Sequence, residues 1–202
     1  TNIQGIKIAY PSNSADMKGL IKAAYHDPNP VVILEHKGLY WSKLKGTENA
    51  KSIEPSKNYV LPFGKGRTVI TADKKNIQNG TTVTIITYGM GIYWAQSAAK
   101  KFPGQIEIID IRTLFPLDEE LVITSVKKHS RCLIVSEEPK KNSFAQALAG
   151  RIQEKGFRYL DAPISVIGAE DVPAIPLNSI LEEQYLPNAD KVAIGLQNLL
   201  SF

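Results

Sequence analysis

The chain has one cysteine and three histidines in 202 residues, and no apolar run near the roughly 20 residues that a membrane-spanning helix needs. Each scarcity removes a class of protein. Cys132 alone supports neither an internal disulfide framework nor a cysteine-built zinc site. Its setting, Cys132-Leu133-Ile134-Val135, marks it as a small buried hydrophobe and the compartment as reducing, hence cytoplasmic. His26, His36 and His129 fall at neither HxxxH nor HxH spacing, so no metal-ligand cluster of side chains emerges. There is no GxSxG elbow, no P-loop, no internal repeat and no low-complexity tract. Thr1-Asn2-Ile3-Gln4-Gly5 lacks the basic region and apolar core of a signal peptide. It also lacks an initiator Met and runs almost directly into a strand-like segment, which reads as a fragment of a longer chain.

What is present is an ordinary globular composition, 43% hydrophobic and 22% charged, with a net charge of +4 and a pI of about 9.0. The excess lysines are scattered as pairs, Lys74-Lys75, Lys100-Lys101, Lys127-Lys128 and Lys140-Lys141, with no interleaved basic and aromatic run. Some pairs fall at expected helix C-termini, where cations suit the helix dipole. Nucleic acid is therefore not an expected partner, and neither is a membrane.

Ile6 to Tyr10 alternates as a strand, and the Ser12-Asn13-Ser14 cluster offers helix caps. Met17, Leu20, Ile21 and Ala24 follow on one helical face until Asp27-Pro28-Asn29-Pro30 stops the helix. Val31-Val32-Ile33-Leu34 predicts a strand buried on both faces. From Gly38 to Arg67 the chain turns polar and aperiodic, Ser42 to Lys57 above all, and reads as a linker or surface excursion. Tyr59 to Gly64 reads as an extended entry to the next unit. Asn79-Gly80 predicts a turn, so Thr68–Thr71 and Thr82–Thr87 are expected to form a short hairpin.

Beyond Thr82 the pattern is regular. Strands at 83–88, 106–111, 132–135 and 164–167 alternate with helices, and a last helix runs from about Asn188 to Leu200. This predicts an α/β fold: a three-layer, mostly parallel sheet with helices on both faces, preceded by a βαβ unit.

Three groups of residues are candidates for chemistry. Gly89-Met90-Gly91 sits where a dinucleotide-binding loop would, with Asp110 placed 21 residues after Gly89 as the ribose acid. Trp94 stands at the third glycine position, however, and its indole opposes the close helix–strand packing that glycine allows. A nucleotide-binding regulatory or oxidoreductase domain built on Gly89, Gly91 and Asp110 is thus the second reading, against a plain strand-to-helix turn. Glu137-Glu138 ends a strand where α/β proteins place ligands, but neighbours on a strand point to opposite faces. In Gln105 to Glu120, Asp118 reads as an N-cap and Glu119 and Glu120 as first-turn acids. Asp110 and Arg112, two apart, pair with each other or with a partner.

The same stretch, "IEIIDIRTLFPLDEE", resembles a signature of the C-terminal domain of thiamine-diphosphate-dependent 2-oxoacid dehydrogenase beta subunits, the E1 beta chain. "GIKIAYPSNSADMKGLIKAAYHDPNPVVILEHKGLY" is similar to the last βαβ of the preceding pyrimidine-binding domain. "YVLPFGKGRTV", "VTIITYGMGIYWAQSAA", "CLIVSEEP", "YLDAPISVIGAEDVPAIP" and "YLPNADKVAIGLQNLL" follow in family order. The resemblance implies residues 1–45 as a remnant of the pyrimidine-binding domain, 46–66 as a linker and 67–202 as a transketolase C-terminal-like domain.

It implies further an enzyme that decarboxylates a 2-oxoacid on thiamine diphosphate and magnesium and passes the acyl group to a lipoyl carrier. Active sites would lie between alpha-type and beta-type subunits. The family's catalytic acid and histidine lie upstream of Thr1, so this chain is expected to hold no catalytic residue and no thiamine diphosphate. A potassium ion is implied on the backbone carbonyls of Ala24, Asp27 and Asn29. Asp161 and the chain end near Phe202 are implied to receive the subunit-binding domain of the acyltransferase, E2. Asp110 and Arg112 would buttress a subunit interface. "VVILEHKGLY" is closer to branched-chain than to pyruvate enzymes, which implies 2-oxoisovalerate as substrate. Trp41 departs from the family's frequent "LYR".

Overall fold

Ile85 and Ile86 are neighbours, yet both are fully buried, and so are Ile108 and Ile109. Adjacent strand residues point to opposite faces, so these strands need apolar cover on both sides. The computed structural model, which describes residues 3–41 and 44–202, supplies it. Ile85, Ile108, Leu133 and Val135 meet one layer of helices, while Ile86, Ile109 and Ile134 meet the other.

The elements in chain order are β1 (Lys7–Ala9), α1 (Ser14–Tyr25), β2 (Val31–Ile33), α2 (Lys37–Tyr40), β3 (Arg67–Ile70), α3 (Lys74–Gln78), β4 (Val83–Thr87) and α4 (Gly91–Ala99). There follow β5 (Ile106–Asp110), β6 (Thr113–Phe115), α5 (Glu119–His129), β7 (Cys132–Pro139), α6 (Phe144–Gly156), β8 (Ser165–Ala169), α7 (Ser179–Tyr185) and α8 (Ala189–Leu200). The larger sheet has the order β3-β5-β4-β7-β8. All its pairs are parallel except β3 against β5. Helices α4 and α8 bring Ile92, Ala95, Val192 and Leu196 to one face. Helices α5 and α6 bring Val122, Val126, Leu148 and Ile152 to the other. The three-layer α/β fold read from the sequence is the fold of the chain.

The capping chemistry also follows the sequence. Asn13 accepts the Asp16 amide at the start of α1, and Asp118 accepts the Leu121 amide at the start of α5. Glu119 and Glu120 occupy the first turn of α5, with Lys127, Lys128 and His129 in its last.

Two expectations are corrected. The hairpin does not form: β3 pairs antiparallel with β5, and residues 74–78 coil into α3 between β3 and β4. Both edges of β4 are taken by β5 and β7, so β3 has no place beside it. Asn79 and Gly80 still make the turn, Gly80 at φ +66°, but as the exit from α3. The second correction is β2, which is not buried on both faces: Val32 is exposed, as is Leu34 beyond the strand's end. It is an outer strand of a second sheet, ordered β2-β1-β6, with no helix packed over that side among the described residues.

That second sheet crosses the expected division of the chain. Strand β6, from the C-terminal part, pairs antiparallel with β1. Much of the 46–66 stretch is laid against the body of the protein. Thr47 and Ala50 are buried, and the Leu61 amide donates to the Gly19 carbonyl at 3.1 Å. A side chain on Gly19 would strike Tyr59 and Leu61, so the close approach of α1 to this segment requires glycine. Of the expected excursion Ser42–Lys57, residues 42 and 43 lie outside the described residues, as do Thr1 and Asn2 of the N-terminus.

Candidate functional site

The densest polar cluster lies where β1 and α1 meet β3 and β5. Asp110, the last residue of β5, is fully buried. Its Oδ2 accepts the Ser12 hydroxyl at 2.6 Å and Arg67 Nε and Nη2, each at 3.3 Å. Its Oδ1 accepts the backbone N–H of Arg112 at 3.1 Å. Arg112 adopts φ +58°, a left-handed conformation that turns its guanidinium toward α1. There it grips Asp16 through two parallel bonds, Nε to Oδ2 and Nη2 to Oδ1, both 2.9 Å. Asn13 Nδ2 donates to Asp16 Oδ2 at 2.7 Å, and the Tyr93 hydroxyl donates to the Ser12 carbonyl.

Asp110 and Arg112 therefore do not form a side-chain ion pair with each other. Each reaches across to the first unit, and together they clasp α1 to the larger sheet. Burial raises the Asp110 pKa, and the bonds from Ser12 and Arg67 oppose that rise without cancelling it. Tyr93 is raised as well, first by burial and then by the Asp110 charge. Sequence reasoning missed Ser12, Asp16, Arg67 and Tyr93 as members. The Pro-Ser-Asn-Ser-Ala-Asp run carried only a capping signal, and nothing local ties it to residues about 95 positions away.

The dinucleotide reading does not survive this geometry. The Asp110 carboxylate is enclosed by Ser12 and Arg67 and cannot meet a ribose. At Gly89, φ +54°, the Tyr10 ring already fills the space above the backbone, 2.7 Å from where a Cβ would stand. At Gly91 a Cβ would come within 2.0 Å of Thr87 Oγ1, whose hydroxyl donates to the Val135 carbonyl at 2.8 Å. Trp94 packs against the apolar core beside α4. The glycines serve strand-to-helix packing. Gly91→Ala is accordingly expected to cost about 2 kcal/mol through overpacking, read by chemical denaturation. A wild-type midpoint in that variant would contradict the packing role.

Glu137 and Glu138 take separate hydrogen-bond partners, although those partners, Tyr10 and Tyr88, pack their rings 5.6 Å apart. Glu137 Oε1 lies 3.1 Å from His36 Nε2, and its Oε2 accepts Tyr10 Oη at 3.2 Å. Glu138 accepts Tyr88 Oη at 3.0 Å. The hydrogen bond that His36 donates to Glu137 raises the His36 pKa, and burial raises those of Tyr10 and Tyr88. Beside His36, Ser12, Met17, Tyr40 and Lys51 help to line a cavity of about 150 Å³. Cofactor pockets usually span roughly 300–1,000 Å³, so this hollow is small for one. His26 packs its ring on Tyr25, and the described residues hold no group of three His, Cys, Asp or Glu placed for a metal.

The remaining candidates are far apart in the chain. Asp161 is exposed, lies between α6 and β8, and donates its amide to the Ser130 carbonyl at 2.9 Å. Phe202 is exposed after α8. In the turn after α1, the Ala24 carbonyl accepts the amides of His26 and Asp27. The Asp27 carboxylate pairs with Lys7, which lowers its pKa. The backbone carbonyls of Asp27 and Asn29 accept no hydrogen bond among the described residues. Two open carbonyls at the negative end of a helix fit a hard cation.

By its sheet order, its covered faces and a clasp that links two sheets, the chain is an α/β protein built around a three-layer unit. Residues 73–192 match the family model of the transketolase C-terminal domain, and the chain belongs to that family. It is 36% identical over 204 residues to the 2-oxoisovalerate dehydrogenase subunit beta of Bacillus subtilis, covering 100% of this chain and 58% of the relative. It is 39% identical over 197 residues to the pyruvate dehydrogenase E1 component subunit beta of Rhizobium meliloti, covering 95% of this chain and 39% of the relative. It is 37% identical over 203 residues to a Bacillus subtilis acetoin:2,6-dichlorophenolindophenol oxidoreductase subunit beta, covering 99% and 54%. Among solved structures, a split-gene transketolase, described as an inactive beta4 tetramer, matches with a TM-score of 0.73 at 20% identity, covering 99% of this chain and 59% of that one. This last likeness concerns the fold. The chain spans about half the length of the curated relatives it matches.

Proposed function

We propose that the chain is the C-terminal part of the beta subunit of a thiamine-diphosphate-dependent 2-oxoacid dehydrogenase, and that its work there is assembly. The observation that carries this is the clasp: Arg112 and Asp110, from the family signature, fix Asp16 and Ser12 of the first unit. A joint of that kind sets the angle at which a pyrimidine-binding domain meets its C-terminal neighbour. The similarity to beta subunits along the full chain supports the same reading.

On this reading thiamine diphosphate and magnesium are held by residues outside this chain, which contributes none of the catalytic groups. The partners are an alpha-type subunit, a second beta chain and the acyltransferase. The substrate is 2-oxoisovalerate, since a branched-chain enzyme's beta subunit is among the similar relatives. The location is the cytoplasm, consistent with the absence of any described helix long and apolar enough to cross a membrane. The deciding assay pairs the full beta subunit with its alpha-type partner and compares decarboxylation of 2-oxoisovalerate and pyruvate. A preference for pyruvate overturns the substrate assignment, and no activity with either overturns the enzyme reading.

Asp161 and Phe202 form the docking point for the acyltransferase in this proposal. Asp161→Lys is expected to weaken binding of the acyltransferase subunit-binding domain about tenfold or more, since charge reversal at a rim acts through complementarity. Calorimetric titration reads this directly, and unchanged affinity sinks the docking role. For potassium, the carbonyls of Ala24, Asp27 and Asn29 are the proposed ligands. The melting temperature is expected to be higher in potassium chloride than in sodium chloride of equal ionic strength. Equal values would dismiss the site.

A further inference from the structure

The clasp is not the only tie between the first unit and the larger sheet. His36, the residue that opens α2, meets Glu137 of β7 across 101 positions of chain, Nε2 to Oε1 at 3.1 Å. The same carboxylate accepts Tyr10 Oη at 3.2 Å, so it gathers the end of β1 and the start of α2 at one point. His36 Nδ1 is buried and has no hydrogen-bond partner among the described residues. Among them, Glu137 is the one polar anchor of the ring.

The ring is also packed onto α2. A Cβ on Gly38 would stand 2.9 Å from His36 Cε1, so the helix leaves the ring its space only because glycine is there. The His36 carbonyl accepts the Leu39 amide at 3.0 Å, and Leu39 packs on the core of the larger sheet. The charged and titratable groups near the ring are few. Besides Glu137 and Tyr10 there are Glu35 and Lys37 beside it in the chain, Tyr40 of α2, Lys51 across the hollow, and Glu138 on β7. Glu35 takes the Tyr40 hydroxyl and Glu138 takes that of Tyr88. Glu137 is the one acid bonded to the ring, so charge on His36 converts that single hydrogen bond into an ion pair.

We infer that His36 is a proton-operated latch between the first unit and the larger sheet: charged, it locks the start of α2 to Glu137 as an ion pair; neutral, it keeps one uncharged hydrogen bond and the start of α2 loosens. The surroundings favour the charged form. The bond to Glu137 raises the His36 pKa above its ordinary 6.5, and burial, which acts the other way, is the smaller effect. A group raised in the folded state contributes its full stability below its unfolded pKa and loses it as pH rises through the folded one. The latch is therefore shut below 6.5 and releases as pH climbs from there through the folded pKa. The other two histidines have different neighbours, Tyr25 for His26 and Glu107 for His129, and neither touches α2. This inference goes beyond the assembly role proposed above, since it adds a condition under which one joint between the two units is weakened.

Nuclear magnetic resonance titration of the histidine rings in the full chain, from about pH 5 to about pH 9, is the test. The His36 signal is assigned by its loss in His36→Gln. It is expected to titrate above 6.5 in the wild type and at or below 6.5 in Glu137→Gln, where burial keeps its effect and the ion pair is gone. Hydrogen exchange supplies the mechanical readout. Protection of the Leu39 amide, corrected for the intrinsic rate, is expected to fall about threefold or more across the His36 titration in the wild type and to stay level in Glu137→Gln. Tyr10→Phe removes the other donor of Glu137 and keeps the pair, so it is expected to retain the raised titration even if Glu137→Gln does not fold. A wild-type His36 that titrates at or below 6.5 overturns the latch. So does a raised titration that leaves Leu39 protection unchanged, because the charge would then hold nothing in place.

Discussion

Replacing Arg112 by methionine is expected to destabilise the protein by about 3 kcal/mol, the low end of the cost of stranding one partner of a buried ion pair. The reason is Asp16. Its side chain is 3% exposed, against 13% for Arg112, and its two oxygens are held by the guanidinium at 2.9 Å. Methionine keeps the aliphatic volume but leaves the carboxylate without its forked donor. Arg67 lies 3.7 Å away and compensates in part, which is why the low end applies. For a protein of this size the loss corresponds to a fall in melting temperature of roughly 6–12 °C. The double variant Asp16→Leu with Arg112→Met is expected to recover about half of the loss or more, because an apolar pair in place of a buried ion pair is often neutral. If the double variant instead equals the sum of the single ones, the two residues are not coupled and the clasp is wrongly drawn. The first unit would loosen before the larger sheet, so hydrogen exchange in α1 is the sensitive local readout.

Much of the larger sheet was legible in the sequence because its signal is local. Runs such as Cys132 to Val135 declare a strand, and Asp118 caps the helix that follows it in the pattern of the sequence. The hairpin was misread because Asn-Gly reports a turn and not the strand that receives the chain after it. Strand β2 was misread because four apolar residues specify burial without specifying by what. The clasp was half legible. Asp110 and Arg112 stood out as a charged pair at a strand end, whereas Arg112 at φ +58° carries no sequence mark and redirects its side chain to α1. Arg67 and Asp16 become visible only when β3 and α1 are folded against β5.

A second buried carboxylate, Glu107, went unnoticed because its strand reads as apolar on either side. It is 3% exposed on β5 and gathers donors from α5, Ser125 Oγ at 2.8 Å and Lys128 Nζ at 2.6 Å, with His129 Nε2 placed 3.1 Å from Oε1. Thr84 and Thr82 extend the network, to Ser125 at 2.6 Å and to His129 Nδ1 at 2.7 Å. Burial acts to raise the Glu107 pKa, and the neighbouring His129 with the bonds from Lys128 and Ser125 outweighs it, leaving a value of about 2 against an ordinary 4.5. A group whose folded pKa is depressed stabilises the fold above its unfolded pKa and loses that contribution as pH falls through the folded one. The window for Glu107 is therefore from about 4.5 down to about 2, and the contribution lost is about 3 kcal/mol. Asp110 has the opposite sign, because its raised pKa makes protonation favour the folded state, so it does not add to this loss. Denaturant unfolding at neutral pH and near pH 3 is expected to show the wild type losing stability, with Glu107→Gln starting lower and changing less over the same interval. Equal acid sensitivity in the two proteins would assign the loss to other carboxylates and leave Glu107 without the role given to it by its three polar neighbours on α5.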